Sequence, residues 1–124
     1  MEKTLLEKLQ EGTIIMDGAM GTYYAKKNGN SNEMAEWANM NNPELVVAIH
    51  KEYMEAGATI IRTNTFAVNS VVLEIDKEEQ KALIKKGYQL AKQAVTEFNQ
   101  TKNSPIYIAA DIGPIPVHAT GEIG

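Results

Sequence analysis

Apolar residues recur along this chain in two alternating rhythms, compact β-branched runs of about five residues and longer stretches with apolar positions three or four apart. Thr4 followed by Glu7 has the spacing of a capping box, and Leu5, Leu6 and Leu9 form a short apolar stripe that stops at Gly12. A short leading helix is predicted there. Residues 13–17 (TIIMD) then read as a buried strand ending in the turn pair Asp17-Gly18. Residues 24–41 are polar, with Met34, Ala35, Trp37 and Met40 as apolar anchors, and predict loop with a helical turn or two.

Asn42 stands as an N-cap before Pro43, whose missing N–H costs nothing at the first helical position, and Glu44 suits the positive end of the helix dipole. Leu45, Val46, Ile49, Tyr53 and Ala56 share one face of the helix this predicts, and Gly57 supplies its left-handed end. Residues 58–63 predict a second strand, with Asn64-Thr65 at its end. Asp76 and Glu79 cap a long helix with Leu83, Gly87, Leu90, Ala91, Ala94, Val95 and Phe98 on one face, expected to end near Asn99. Residues 106–110 predict a third strand, followed by Asp111 and the loop Ile112-Gly113-Pro114.

Strands that are apolar on both faces and alternate with helices are the signature of a parallel sheet covered by helices, so the fold class is α/β. Length bears on which kind: a closed (β/α)8 barrel takes about 250 residues, whereas a small open sheet closes within about 125. With 124 residues, size alone favours one small domain.

Composition removes several function classes. The 12 Lys and Arg are scattered beside 16 Asp and Glu for a net charge of −4, so no basic stripe is present to neutralise phosphates, and nucleic acid is not an expected partner. Apolar runs fall far short of the roughly 20 residues that span a bilayer, and the charged N-terminus lacks a secretory h-region. No membrane partner and a cytoplasmic location are expected. With no Cys, the chain has neither disulfides nor thiolate metal ligands.

In parallel α/β folds binding groups gather at the C-terminal ends of strands. Three ends stand out: Asp17 with Gly18, Ala19, Met20, Gly21 and Thr22; Thr63 with Asn64 and Thr65; and Asp111 with its loop. Gly residues let backbone N–H groups approach a carboxylate, and Asp17 can pair with an ammonium group, a combination that suits an amino acid. Asp-Gly after a strand is equally what an ordinary tight turn needs, and spacing alone leaves both readings standing. No Gly-Lys-Ser/Thr follows, and the glycine spacing is not that of a dinucleotide loop. His50 reads as packed within its helix, Trp37 as an anchor of its loop in preference to a ligand-facing aromatic, with no role assigned to it, and His118 as a polar-loop residue, also unassigned. A strand between Asp17 and Asp111 argues against a shared-proton pair.

Three segments, residues 15–22 (IMDGAMGT), 42–66 (NPELVVAIHKEYMEAGATIIRTNTF) and 109–114 (AADIGP), together resemble the homocysteine S-methyltransferase family, in the family's order and over nearly the whole chain. The resemblance implies a partial (β/α)8 TIM barrel in which residues 1–124 are the N-terminal part, the first three parallel strands with their helices. It further implies that a zinc ion on three later Cys makes homocysteine a thiolate that attacks the methyl donor. Asp17 is then expected to take part in binding the amine of L-homocysteine, and the backbone around Gly18, Ala19 and Met20 to meet its carboxylate, with Thr22 and Asn64 completing the substrate-binding set.

The chain departs from the family in having no Cys, including the adjacent pair expected late in the barrel, so it carries no catalytic or metal-binding residue of its own. Asp111 stands where a small residue such as Ser would be unsurprising. Zinc belongs to the full-length parent, folate or cobalamin to additional domains, and no residue here chooses between methyltetrahydrofolate, betaine and S-methylmethionine as donor. An open set of three strands exposes an edge and unpartnered helix faces, so self-association or pairing with the missing barrel half is expected. The alternative is a non-catalytic module that binds a small metabolite, or a half-barrel that needs a partner chain.

Overall fold

A computed structural model of the chain describes residues 4–12, 14–29, 33–102 and 104–115. Among them run α1 (Leu5–Glu11), α2 (Gly21–Asn28), a 3-10 turn (Ala35–Trp37), α3 (Ala38–Asn41), α4 (Pro43–Glu55), β1 (Ile60–Arg62), α5 (Lys77–Lys102) and β2 (Tyr107–Ala109). The architecture is mixed α/β with parallel strands. β1 pairs with β2 in the register Ile60↔Tyr107, Ile61↔Ile108, Arg62↔Ala109, and Met16 bridges Ile60 on the other side, also in parallel.

Of the expected first strand, Thr13 lies outside the described residues, and the rest forms a bridge at Met16 rather than a full strand. Its hydrogen bonds run to one side only, from Thr59 N and Ile60 N to Ile15 O and from Asp17 N to Ile60 O, while Ile15 and Met16 stay 55% and 50% exposed. The described residues of the stretch 24–41 depart further from expectation, 24–28 and 35–41 being helical. Burial explains it: Tyr24, Ala35, Ala38 and Asn39 all enter the interior, and packing outweighs the weak propensity of a polar, Asn-rich segment.

The capping box of α1 forms as read, with Glu7 N donating to Thr4 Oγ1 at 3.1 Å and Thr4 N to Glu7 Oε1 at 3.3 Å. Its apolar stripe is not buried, and Leu6 is 67% exposed. At α4 the cap is simpler than expected. Asn42 makes no side-chain cap bond, and its carbonyl receives Leu45 N and Val46 N while Pro43 takes the first helical position. Gly57 has the expected positive φ, 112°. Asp76 caps α5 through Glu79 N at 2.8 Å, and the helix runs three residues past Asn99, to Lys102.

The core lies between α4, α5 and the strands. Ile49 and Val46 of α4, Ile61 of β1 and Leu90, Ala91, Ala94 and Phe98 of α5 close on one another, with Tyr24 of α2 at the margin. Each fully buried Leu, Ile or Phe contributes roughly 1.5–3 kcal/mol. A second cluster, Val68, Leu73, Ile75 and Leu83 with Trp37 against it, fixes the long β1–α5 connection. Trp37 is thus an anchor, as its sequence context suggested.

Candidate functional site

The C-terminal ends of the three parallel segments meet over one cavity of about 310 Å³, lined by Asp17, Gly18, Ala19, Met20, Gly21, Glu36, Arg62, Thr63, Asn64, Thr65, Phe66 and Asp111. Five of the six substrate-binding candidates from the sequence, Asp17, Gly18, Ala19, Met20 and Asn64, are brought together there. Thr22 is not. It lies exposed in the first turn of α2, outside the lining.

Asp17 is held by the neighbouring strand. Arg62 N donates to Oδ2 at 3.1 Å and Arg62 Nε to Oδ1 at 2.9 Å, leaving the Asp17 side chain 4% exposed and that of Arg62 35% exposed. The same guanidinium reaches over the loop, its Nη2 donating to Asp17 O at 3.0 Å and Gly18 O at 3.2 Å. The hydrogen bond to Asp17 holds Arg62 above its ordinary pKa, reinforced by the charges of Asp17 and Asp111 and opposed by burial.

The loop itself is pinned from α4. Tyr53 Oη donates to Ala19 O at 2.6 Å, and its ring lies so close that a Cβ at Gly18 would come 2.9 Å from Cε1 and Oη. Gly18 is needed for that approach. The amides of Gly18, Ala19, Met20, Gly21 and Thr22 donate to no backbone acceptor among the described residues, and α2 begins at Gly21 without a side-chain cap. A run of unspent N–H donors at a helix start favours an anionic group.

Asn64 plays a different part. Buried at 3% exposure, it spends its amide hydrogens on Ala35 O at 2.7 Å and Asn39 Oδ1 at 3.0 Å, while Asn39 Nδ2 returns a bond to Asn64 O at 2.8 Å. The pair ties the β1 loop to α3. Thr63 Oγ1 and Thr65 Oγ1 lie 2.6 Å apart, Thr65 Oγ1 donates to Asp111 O at 2.7 Å, and Asp111 N donates to Thr63 Oγ1 at 3.2 Å. Asp111 is thereby fixed through its backbone, leaving its carboxylate at the cavity. Arg62 is paired with Asp17 and is also acted on by the charge of Asp111, so one guanidinium offsets part of the negative charge at this mouth.

Sequence reasoning missed Arg62 and Glu36. The signal for Arg62 was a single cation inside an apolar, β-branched strand. Glu36 gave no signal, because its burial at 8% and its bond from Ala67 N at 3.0 Å depend on a fold of residues 35–41 that the polar sequence concealed. His50 is fully buried with neither ring nitrogen partnered among the described residues, in keeping with a packed rather than catalytic His, and burial pushes its pKa down to about 4. His118 lies outside the described residues.

The residues do not fit the zinc that the resemblance implies. The chain has no thiol, and no three His, Asp or Glu side chains converge among the described residues. No helix among them is long and apolar enough to cross a membrane.

An amide run without backbone partners, several carboxylates and one guanidinium thus gather at the C-terminal ends of the parallel segments of an α/β protein. The homocysteine S-methyltransferase family model matches residues 14–122, and the chain belongs to that family. It is 30% identical to the methionine synthase of Mycobacterium leprae (strain TN) and 29% identical to that of Mycobacterium tuberculosis (strain ATCC 25618 / H37Rv), in each case over 89% of this chain and 10% of the relative. The chain thus spans about a tenth of those proteins. Among solved structures, the metallated form of the homocysteine methyltransferase MmuM from Escherichia coli superposes with a TM-score of 0.76 at 26% identity, covering 89% of this chain and 41% of that one. The apo form gives 0.69 at 30% identity, covering 93% and 41%.

Proposed function

We propose that this chain is the opening of a homocysteine S-methyltransferase (β/α)8 barrel, in which it binds the amino-acid end of L-homocysteine while the methyl group passes to the sulfur. The observation that carries the reading is the cavity at the strand ends, where unspent amides from Gly18 to Gly21 adjoin three carboxylates, Asp17, Glu36 and Asp111, and one guanidinium. Amides at a helix start suit the α-carboxylate; a mouth with more carboxylates than cations suits the ammonium. Asp17 accepts the ammonium on lone pairs that Arg62 leaves open, since a carboxylate offers about four.

Activation of the thiol falls to groups outside these residues. What this chain does is orient the amino acid so that its sulfur points away from the strand-end loops. The apolar trough of about 490 Å³ formed by Ile84, Tyr88, Ile108 and Ile112, beside the cavity, supports a barrel continuation packed against α5 and β2. A partner chain completing a half-barrel is the second reading, favoured by the same trough.

Titration calorimetry of homocysteine into the protein as it occurs in its source cells tests the reading, with Asp17→Asn beside it. The reading expects binding, weakened about tenfold or more in the variant. Loss of methyl transfer in Asp17→Asn with homocysteine affinity unchanged would sink the assigned role. A native mass equal to the 13.7 kDa of this chain would favour the half-barrel or binding-module reading over the longer enzyme.

A further inference from the structure

The guanidinium of Arg62 spends Nε on Asp17 Oδ1 and Nη2 on the carbonyls of Asp17 and Gly18, so its plane is fixed by three acceptors. Nη1 has no acceptor among the described residues, and Arg62 lines the cavity with a third of its side chain exposed. A cation held on one edge and open on the other is preorganised to receive an anion, because little side-chain freedom remains to be lost on binding. The loop it grips through Gly18 O is the same loop whose amides are unspent.

The electrostatics select the kind of anion. Arg62 and Asp17 form a dipole at the cavity wall, and Asp111, which lines the same cavity, adds negative charge that acts on Arg62. The complement of such a wall is a ligand whose anion and cation are one or two bonds apart. A plain carboxylate would meet the opposing field of Asp17, Glu36 and Asp111; a plain amine would meet Arg62.

We infer that Arg62 is a specificity-determining residue that takes one oxygen of the α-carboxylate on Nη1 while the amides at the start of α2 take the other, so that the site reads a zwitterion and not either charge alone. This rests on the proposed amino-acid site. Arg62 also keeps Asp17 from being left as a buried unpaired charge when the site is empty.

The test uses the native full-length protein and three thiols of matched length: homocysteine, its decarboxylated analogue 3-aminopropane-1-thiol and its deaminated analogue 4-sulfanylbutanoate. In the unsubstituted protein, each analogue is expected to bind about 10- to 100-fold more weakly than homocysteine. In Arg62→Gln, the preference for homocysteine over 3-aminopropane-1-thiol should shrink by about tenfold or more, what remains of it coming from the amides at the start of α2. Arg62→Lys keeps a cation beside Asp17 and serves where Arg62→Gln does not fold; it loses the Nη1 edge and should show a carboxylate preference reduced by tenfold or more.

If both substitutions weaken homocysteine and the decarboxylated analogue by the same factor, Arg62 is structural and the inference falls while the proposed function stands. Homocysteine failing to bind the unsubstituted protein overturns both.

Discussion

Gly87 of α5 lies against Thr65 so closely that a Cβ there would come 2.6 Å from Thr65 Cγ2 and 3.0 Å from Asn39 Nδ2. A glycine in mid-helix costs about 1 kcal/mol against Ala, and here that cost lets the helix seat the β1 loop directly on its backbone. Both contacts belong to buried groups with fixed hydrogen bonds, so neither can move away without loss.

Gly87→Ala is therefore expected to destabilise the chain by about 1–3 kcal/mol despite its gain in helix propensity. A lowered midpoint in urea unfolding, with the slope unchanged, is the outcome to look for. A raised midpoint would show that the Asn64-Thr65 loop yields freely.

Asn39 is the polar centre of the same junction, fully buried and donating to Asn64 O at 2.8 Å and Leu83 O at 3.2 Å while accepting from Asn64. Asn39→Leu leaves those groups without partners, each at about 1–3 kcal/mol. The expected loss of several kcal/mol should appear in thermal unfolding, and a variant melting within about 2 °C of the parent would count against the junction as described.

Tyr53→Phe removes the bond to Ala19 O and is expected to cost about 1 kcal/mol of stability. Gly18→Ala presses on the outer end of the Tyr53 ring, which is free enough to turn aside, so its main effect is to release the loop. Both variants should raise the dissociation constant for homocysteine in the full-length protein more than they lower its melting temperature. Unchanged affinity would separate the loop from ligand binding.

His50 gives the chain a pH dependence of known sign. Its pKa falls from 6.5 to about 4 through burial, with Asp17 opposing the fall. Between those values the unfolded chain holds the proton and the folded chain does not, so stability is full above about pH 6.5 and falls as the pH drops towards 4. The span amounts to about 3 kcal/mol. His50→Leu should stay folded at neutral pH and lose this part of the acid sensitivity, read as urea midpoints from pH 7 to 4. A parallel pH profile in the two proteins would contradict it.

How much was legible follows from which forces leave a mark in local sequence. The α5 face was legible because its residues repeat with the helix: Leu83, Gly87, Leu90, Ala91, Ala94 and Phe98 are buried, and Val95, read on the same face, is half-buried against the core. Gly18 and Asp17 were visible as a strand-end turn. The helices within 21–41 were not, because Tyr24, Glu36 and Asn39 are interior only through contacts with residues 20 to 60 positions away, such as Ala67 and Leu83. Asn64 was placed in the substrate-binding set with its strand-end loop; it lines the cavity, and the hydrogen bonds of its side chain to Ala35 and Asn39 are ones that only the tertiary arrangement decides.

The strand that is second in the sequence is also the middle one in space, with residues 15–16 on one side and Tyr107–Ala109 on the other. Each new parallel segment therefore lies on an edge presented by the one before it in the chain, returned there by α4 in the first case and by α5 in the second. In this order no distant segment has to insert between strands already paired, and the strands pair in the sequence in which synthesis, at roughly 5–20 residues per second, delivers them. Translation speed through the α5 segment then sets how long the edge of β1 stands open to a wrong neighbour.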